Sequence, residues 1–171
     1  MNKEHPEKQC RIETIEPLVL MSATTIEGTD LGEWISGDEN DNLILAGGGN
    51  DEIHAPLGNN VIDGGEGDDT LEDNQGNNMM MGGEGADTFA FFLNDDEFHN
   101  TITDFDADEG DSFDLDFSSD SIFQGMSFED FAANYMTQDN QDTVINFGEN
   151  QKVTLTNVNM NDLKAEDFDM G

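Results

Sequence analysis

One nine-residue pattern repeats seven times without a gap between Gly28 and Ala90, and nothing else in the chain limits its fold so sharply. The blocks read GTDLGEWIS, GDENDNLIL, AGGGNDEIH, APLGNNVID, GGEGDDTLE, DNQGNNMMM and GGEGADTFA. The eighth position is always large and apolar: Ile35, Ile44, Ile53, Ile62, Leu71, Met80 and Phe89. The fourth is glycine in the last five blocks (Gly49, Gly58, Gly67, Gly76 and Gly85). The sixth is always an acid or an amide: Glu33, Asn42, Asp51, Asn60, Asp69, Asn78 and Asp87. A degenerate block before them, VLMSATTIE, keeps the phase with Ile26 at its eighth place.

A single apolar side chain per block cannot form a core within that block. It can do so only if blocks stack and align those side chains, as in a solenoid. The x-apolar-x stretch around each is long enough for a minimal strand with one side chain inward. The rest of the block, rich in glycine and acid, suits a turn that needs positive φ. Two such blocks close one flattened coil, so alternate blocks lie above one another. Those starting at 28, 46, 64 and 82 form one edge, and those at 37, 55 and 73 the other. The fold class this predicts is all-β, a parallel roll. A disordered acidic linker has similar composition, but a linker has no reason to keep an apolar residue in phase.

Stacking places carboxylates of successive coils close together, which is repulsive. A hard cation between coils, held by Asp side chains and the exposed carbonyls of glycine turns, removes the conflict. A flexible cage of about six to eight oxygens is the preference of calcium, not of zinc or copper. Such cages also accept other hard ions, lanthanides among them. The whole chain poses the same problem: 40 acidic residues face 5 basic ones, for a net charge of −35. With a mean hydropathy of −0.61, self-repulsion opposes compaction until counter-ions bind, so folding is expected to be coupled to metal. The charge excludes nucleic acid and anionic membrane surfaces as simple electrostatic partners. No apolar run is long enough for membrane insertion, and the lone Cys10 rules out an internal disulfide framework.

GGEGDDTLE and GGEGADTFA fit the pattern GGxGxDx-apolar-x at every fixed position, and AGGGNDEIH misses only the first glycine. The chain thus resembles the RTX, or haemolysin-type, calcium-binding nonapeptide family. The resemblance implies a right-handed parallel β-roll with several Ca²⁺ ions between stacked turns. Its implied ligands are Asp51, Asp69 and Asp87 with the carbonyls of Gly47, Gly49, Gly65, Gly67, Gly83 and Gly85. It also implies export through a type I secretion apparatus, and so an extracellular or cell-surface bacterial location.

The departures from the pattern are ordered. All three Asp blocks fall on one edge, while Asn42, Asn60 and Asn78 occupy the sixth place on the other, which also carries Asp38 and Pro56 where glycine is expected. Asn keeps one oxygen ligand and drops the charge, and calcium affinity follows ligand charge. The expectation is tight calcium on the Asp edge and weak or absent calcium on the Asn edge. Glu33, longer by a methylene, puts the first Asp-edge site in doubt.

Three parts are expected: a flexible tail over 1–18, the roll over 19–93, and a β-rich cap with one short helix and a secretion signal over 94–171. IEPLVLMSA (Ile15–Ala23) resembles a degenerate LEPR-XLL motif with Leu18 in place of the Arg; an apolar cap over the first coil is the other reading. Beyond Phe89, alternating patterns predict strands at Thr101–Phe105, Ser112–Phe117, Thr143–Phe147 and Lys152–Leu155. Ser127 followed by FEDFAANYM predicts an N-capped helix. TITDFDADEGDSFDL and NVNMNDLKAEDF resemble the C-terminal domain of serralysin-type proteases and alginate-epimerase R-modules. Within the loop Asp104–Asp111, the alternate acids Asp104, Asp106 and Asp108 suggest an auxiliary calcium site involving Asp104 and Asp111. Gly110 and Leu115 stand at the wrong places for an EF-hand, and a solvated acidic loop is the alternative.

No enzyme is expected. His5, His54 and His99 are scattered and form no HExxH, and no GxSxG elbow occurs. Two other functions compete with calcium binding for its own sake: a carbohydrate-binding accessory module, with a glycan as partner, and a calcium-bridged adhesive or structural protein at the cell surface. Trp34, placed to face outward, could stack on a sugar or pack against a terminal segment. The five basic residues, Lys3, Lys8, Arg11, Lys152 and Lys164, are too few for a stripe that binds an anionic polymer.

Overall fold

The computed structural model describes residues 23–73, 75–92, 97–115, 123, 125–148 and 150–170. From Thr24 to Phe91 the chain winds between two sheets. The odd strands β1 (Thr24–Glu27), β3 (Asn42–Gly48), β5 (Val61–Glu66) and β7 (Met79–Glu84) form one face. The even strands β2 (Trp34–Ser36), β4 (Glu52–Ala55), β6 (Thr70–Asp73) and β8 (Thr88–Phe91) form the other. Every pairing among them is parallel, and the register advances by two blocks per coil: Ile26, Ile44, Ile62 and Met80 align on one face, and Ile35, Ile53, Leu71 and Phe89 on the other.

The eighth-position side chains point inward from both sheets, and Ile44, Ile53, Ile62, Leu71, Met80 and Phe89 have no solvent exposure. Each stabilises the fold by about 1.5–3 kcal/mol. That is little for a block whose nine residues must all be ordered. The turns along the two edges therefore have to contribute.

Both sheets run on past the repeat. β9 (Phe98–Ile102) pairs parallel with β7, and β10 (Ser112–Asp114) pairs parallel with β8. A helix, α1 (Phe128–Tyr135), follows, with the Ser127 hydroxyl accepting from the Asp130 N–H at 3.1 Å. It leads directly into an antiparallel meander of β11 (Met136–Asp139), β12 (Asp142–Asn146) and β13 (Gln151–Leu155). β13 pairs parallel with β9 and so joins the meander to the first sheet. β14 (Phe168–Asp169) closes the second sheet beside β10. The strand orders are β1-β3-β5-β7-β9-β13-β12-β11 and β14-β10-β8-β6-β4-β2.

The all-β parallel roll with a small β-rich end and one short helix is therefore the architecture. Differences from the predicted elements have local causes. β9 starts three residues before Thr101 and stops at Ile102, because the Thr103 N–H still reaches the Met80 carbonyl while Asp104 turns to the backbone of Gly82 and Gly83. α1 ends at Tyr135 because Met136, predicted as helical, is buried as the first residue of β11 opposite Ile145. β11 and β14 carry too few alternating residues to be recognised in the sequence. Packing in this end is aromatic where that of the roll is mostly aliphatic. Phe113 stacks on Phe168 with centroids 4.9 Å apart and on Phe105 at 5.0 Å, and Phe131 meets Phe168 at 5.4 Å.

The tail over 1–18, Cys10, His5 and all of the LEPR-like segment except Ala23 lie outside the described residues. Trp34 is 64% exposed, as its outward position predicts. Among the described residues no helix is long and apolar enough to cross a membrane.

Candidate metal centre

The alternation that sends the eighth residue into the core also sends the sixth into the seam between coils. Along one edge the Glu33 N–H donates to Asp51 Oδ1 at 2.7 Å, and the Asp51 N–H to Asp69 Oδ1 at 2.7 Å. The Asp69 N–H then donates to Asp87 Oδ1 at 2.9 Å, and the Asp87 N–H to Asp111 Oδ1 at 3.0 Å. Each carboxylate thus spends one oxygen on the coil before it. The other oxygen, Oδ2 of Asp51, Asp69 and Asp87, is sealed from solvent and has no hydrogen-bond partner among the described residues. A buried carboxylate oxygen without a donor is costly, so three in a column mark a place built for a cation.

The glycines line the same place. A Cβ on Gly64 would collide with Asp69 Oδ2, and one on Gly82 with Asp87 Oδ2. Gly65 and Gly83 hold φ of 104° and 107°, which a side chain resists. A Cβ on either would run into the carbonyl of the glycine one coil earlier, Gly47 or Gly65. Gly67 and Gly85 stand against the carbonyls of Gly49 and Gly67 in the same way. The turns therefore stack backbone carbonyls in columns beside the free carboxylate oxygens. No three His, Cys, Asp or Glu side chains converge on one point among the described residues. An ion here needs those carbonyls, and the oxygen-only donor set fits calcium.

Electrostatics lead to the same place. Burial pushes Asp69 up to about 6 against the N–H from Asp51, with the carboxylates of Asp51, Asp68 and Asp63 adding to the rise. Asp87 is pushed up to about 6 by burial, then by Asp69, Asp104 and Asp68. Burial also raises Asp51. Without a positive partner, the charged column is unfavourable.

The residues singled out at the ends of this edge are placed differently. Asp111 is pushed up to about 7 by burial, and both its oxygens accept N–H groups, from Asp87 and from Asp106 at 2.8 Å. Asp104 accepts from the Gly82 and Gly83 N–H groups, both at 3.1 Å. The two acids belong to the last coil and do not make a cage with Asp106 and Asp108; Asp106 instead accepts the Asp108 N–H at 3.0 Å. At the other end, Glu33 folds back to accept the Thr29 N–H at 2.7 Å.

The opposite edge repeats the ladder with amides. The N–H groups of Asn42, Asn60 and Asn78 donate to Oδ1 of Asn60, Asn78 and Asn100 at 2.9, 2.6 and 2.8 Å. Asn42, Asn60 and Asn78 are thus brought into register as predicted, but their amide nitrogens face the turn carbonyls. Sequence reasoning missed Asn100 and the buried Asp73. Asn100-Thr101-Ile102 repeats the spacing of Asn78-Met79-Met80, so the first was visible in principle.

Residues 27–55 and 57–89 match the family described as RTX calcium-binding nonapeptide repeat, in four copies. The roll is an RTX roll. Two solved structures are similar to the chain, both subunits from the Azotobacter vinelandii mannuronan C5-epimerase. The AlgE6R3 subunit is 28% identical, with 88% of this chain and 84% of that one covered and a TM-score of 0.40. The AlgE6R2 subunit is 26% identical, with 86% and 92% covered and a TM-score of 0.39. No curated protein matches the chain. RTX nonapeptide repeats bind calcium, and in this roll their Asp residues all stand on one edge.

Proposed function

We propose that this is a secreted, non-catalytic calcium-binding protein whose RTX roll folds as Ca²⁺ enters the Asp edge. The observation that carries the reading is the column of buried, unpartnered Oδ2 atoms on Asp51, Asp69 and Asp87. Asp69 and Asp87, whose blocks open with Gly64 and Gly82, have the roomier turns; Asp51 has Ala46 in that register and takes the weakest of three ions. The working division remains a tail over 1–18, a roll over 19–93 and a cap over 94–171.

The net charge of −35 keeps the Asp edge open where calcium is scarce. Extracellular calcium modules bind at roughly 10⁻⁴–10⁻³ M, so that edge closes only outside the cell. Type I export of an incompletely folded chain, followed by closure on arrival, is the sequence of events this supports. Circular dichroism in EGTA and then in calcium tests it: strand signal should appear on adding calcium, and an unchanged spectrum would end the proposal. A neutral glycan as partner is favoured by one observation, the 64% exposed Trp34; a glycan array with a Trp34→Ala control decides it.

A further inference from the structure

We propose that the Asn edge takes no ion and closes without one, the side-chain amides of Asn42, Asn60 and Asn78 making the bonds to the turn that a cation makes on the opposite edge. In its contrast between the edges, this rests on the calcium reading above. Asn60 Nδ2 donates to the Leu57 carbonyl at 3.0 Å and reaches the Gly58 carbonyl at 3.4 Å. Asn42 Nδ2 donates to the Asn40 carbonyl at 2.6 Å and to Asn60 Oδ1 at 3.0 Å. Asn78 Nδ2 donates to Asp73 Oδ1 at 2.5 Å and reaches the Gln75 carbonyl at 3.4 Å. The oxygens of Asn60 and Asn78 that would have to turn toward a metal are therefore already held by N–H groups. A cation entering there would meet amide hydrogens.

Which end of each amide is oxygen follows from the network. Oδ1 of Asn60, Asn78 and Asn100 faces a backbone N–H, which only an acceptor can satisfy, so Nδ2 must face the carbonyls. The seam has its own carboxyl acceptor as well. Asp73 is 1% exposed and receives the amides of both Asn78 and Asn100. It opens a block where the Asp edge has Gly64 or Gly82, and it sets two acceptor oxygens among side-chain N–H donors. Asp38 replaces a turn glycine with a self-contained turn, its Oδ1 accepting the Asn40 N–H at 2.8 Å. Asn42 Oδ1 is buried without a partner among the described residues. It is the first rung, and the N–H in register with it, that of Thr24, goes to the Asp41 carbonyl instead.

Because the same backbone N–H is bonded on both edges, hydrogen exchange reads the two seams alike. The test follows the N–H groups of Asn42, Asn60 and Asn78 against those of Asp51, Asp69 and Asp87 in the full chain, in EGTA and in calcium. Protection of the Asn group in both conditions, with loss in the Asp group in EGTA, is the expected result. Loss in both groups overturns the inference and leaves the calcium reading standing. Protection of both groups in EGTA leaves the Asn seam standing and ends the calcium reading. A second variant, Asn60→Asp, sets a carboxylate against the Leu57 and Gly58 carbonyls. It should make protection of the Asn42 N–H depend on calcium; protection unchanged in EGTA would overturn the proposal.

Discussion

The Asp seam and the Asn seam share one hydrogen-bond ladder and differ in a single atom per rung. In each, an oxygen of the sixth-position side chain accepts the N–H of the coil before it, at 2.7–3.0 Å on the Asp edge and 2.6–2.9 Å on the Asn edge. What remains is an oxygen on one side and an NH₂ on the other. The oxygen must find a positive charge to sit beside turn carbonyls. The amide brings its own positive end. A repeat can thus choose, block by block, between a joint that responds to calcium and one that does not.

The largest effect should come from removing the Asp joint. At calcium ten times the dissociation constant, each ion adds about 1.4 kcal/mol, so three independent ions add about 4 kcal/mol. That is a large part of an ordinary domain's stability. Asp69→Ala with Asp87→Ala forfeits two ions and also leaves the buried N–H groups of Asp51 and Asp69 without acceptors, at about 1–3 kcal/mol each. The double variant should show no calcium-induced strand signal by circular dichroism at concentrations that saturate the parent. A parent-like titration would refute the Asp-edge assignment.

On the other seam, the largest single loss should come from Asp73→Ala. It strips the carboxyl acceptor from Asn78 Nδ2 and Asn100 Nδ2, and leaving each buried donor short of its acceptor costs about 1–3 kcal/mol. Urea unfolding at saturating calcium measures it. The deficit should persist when calcium is raised further, because no ion enters this seam; recovery with calcium would mean that the seams are not independent.

The sequence made the strict part of this design plain. A strict nine-residue spacing fixes which side chains stack, so the coil of two blocks, the inward Ile44, Ile62 and Met80, and the two-edge division of Asp and Asn all follow from it. The continuation did not follow, because the spacing stretches. Asn78 meets Asn100 across 22 residues and Asp87 meets Asp111 across 24, against 18 within the repeat. Only the triplets Asn100-Thr101-Ile102 and Asp111-Ser112-Phe113, an acid or amide two places before an apolar residue, betray it. Asp73 was hidden for another reason. In a chain with 40 acids, one more carries no signal until its neighbours in space are known.

Glycine substitutions sharpen the comparison more gently. Gly83→Ala meets both a φ of 107° and the Gly65 carbonyl, in the calcium-facing turn. It should cost about 1–3 kcal/mol and weaken the calcium midpoint with it. Gly125 has a φ of 76°, but its Cβ position meets nothing within 4 Å among the described residues. Gly125→Ala should cost about 1–2 kcal/mol and leave the calcium midpoint alone. Equal shifts in a calcium titration would show that the columns of carbonyls do not set the affinity.

Acid offers the smallest perturbation, and it acts on the two seams unequally. The amides of Asn42, Asn60, Asn78 and Asn100 do not titrate, whereas burial raises Asp69 and Asp87 to about 6 and Asp111 to about 7. A carboxyl raised in the fold binds a proton there that the unfolded chain has already released. Its contribution is therefore full below the ordinary value near 4, and is lost as the pH rises through about 6 and 7. Ordinary carboxylates are ionised throughout the interval from about 5 to 8, so among the carboxylates a change within it belongs to Asp69, Asp87 and Asp111. The carboxylates that face it, Asp51, Asp63, Asp68 and Asp104, act in the same direction by favouring protonation. In EGTA, lowering the pH from about 8 to about 5 should restore part of the exchange protection at the Asp51, Asp69 and Asp87 N–H groups, with protons standing in weakly for calcium. Over the same interval the Asn42 and Asn60 N–H groups should hold steady. Protection that falls with acid at the Asp edge would mean that these carboxylates are stabilised as anions in the metal-free roll, and that the repulsion calcium is proposed to relieve is absent.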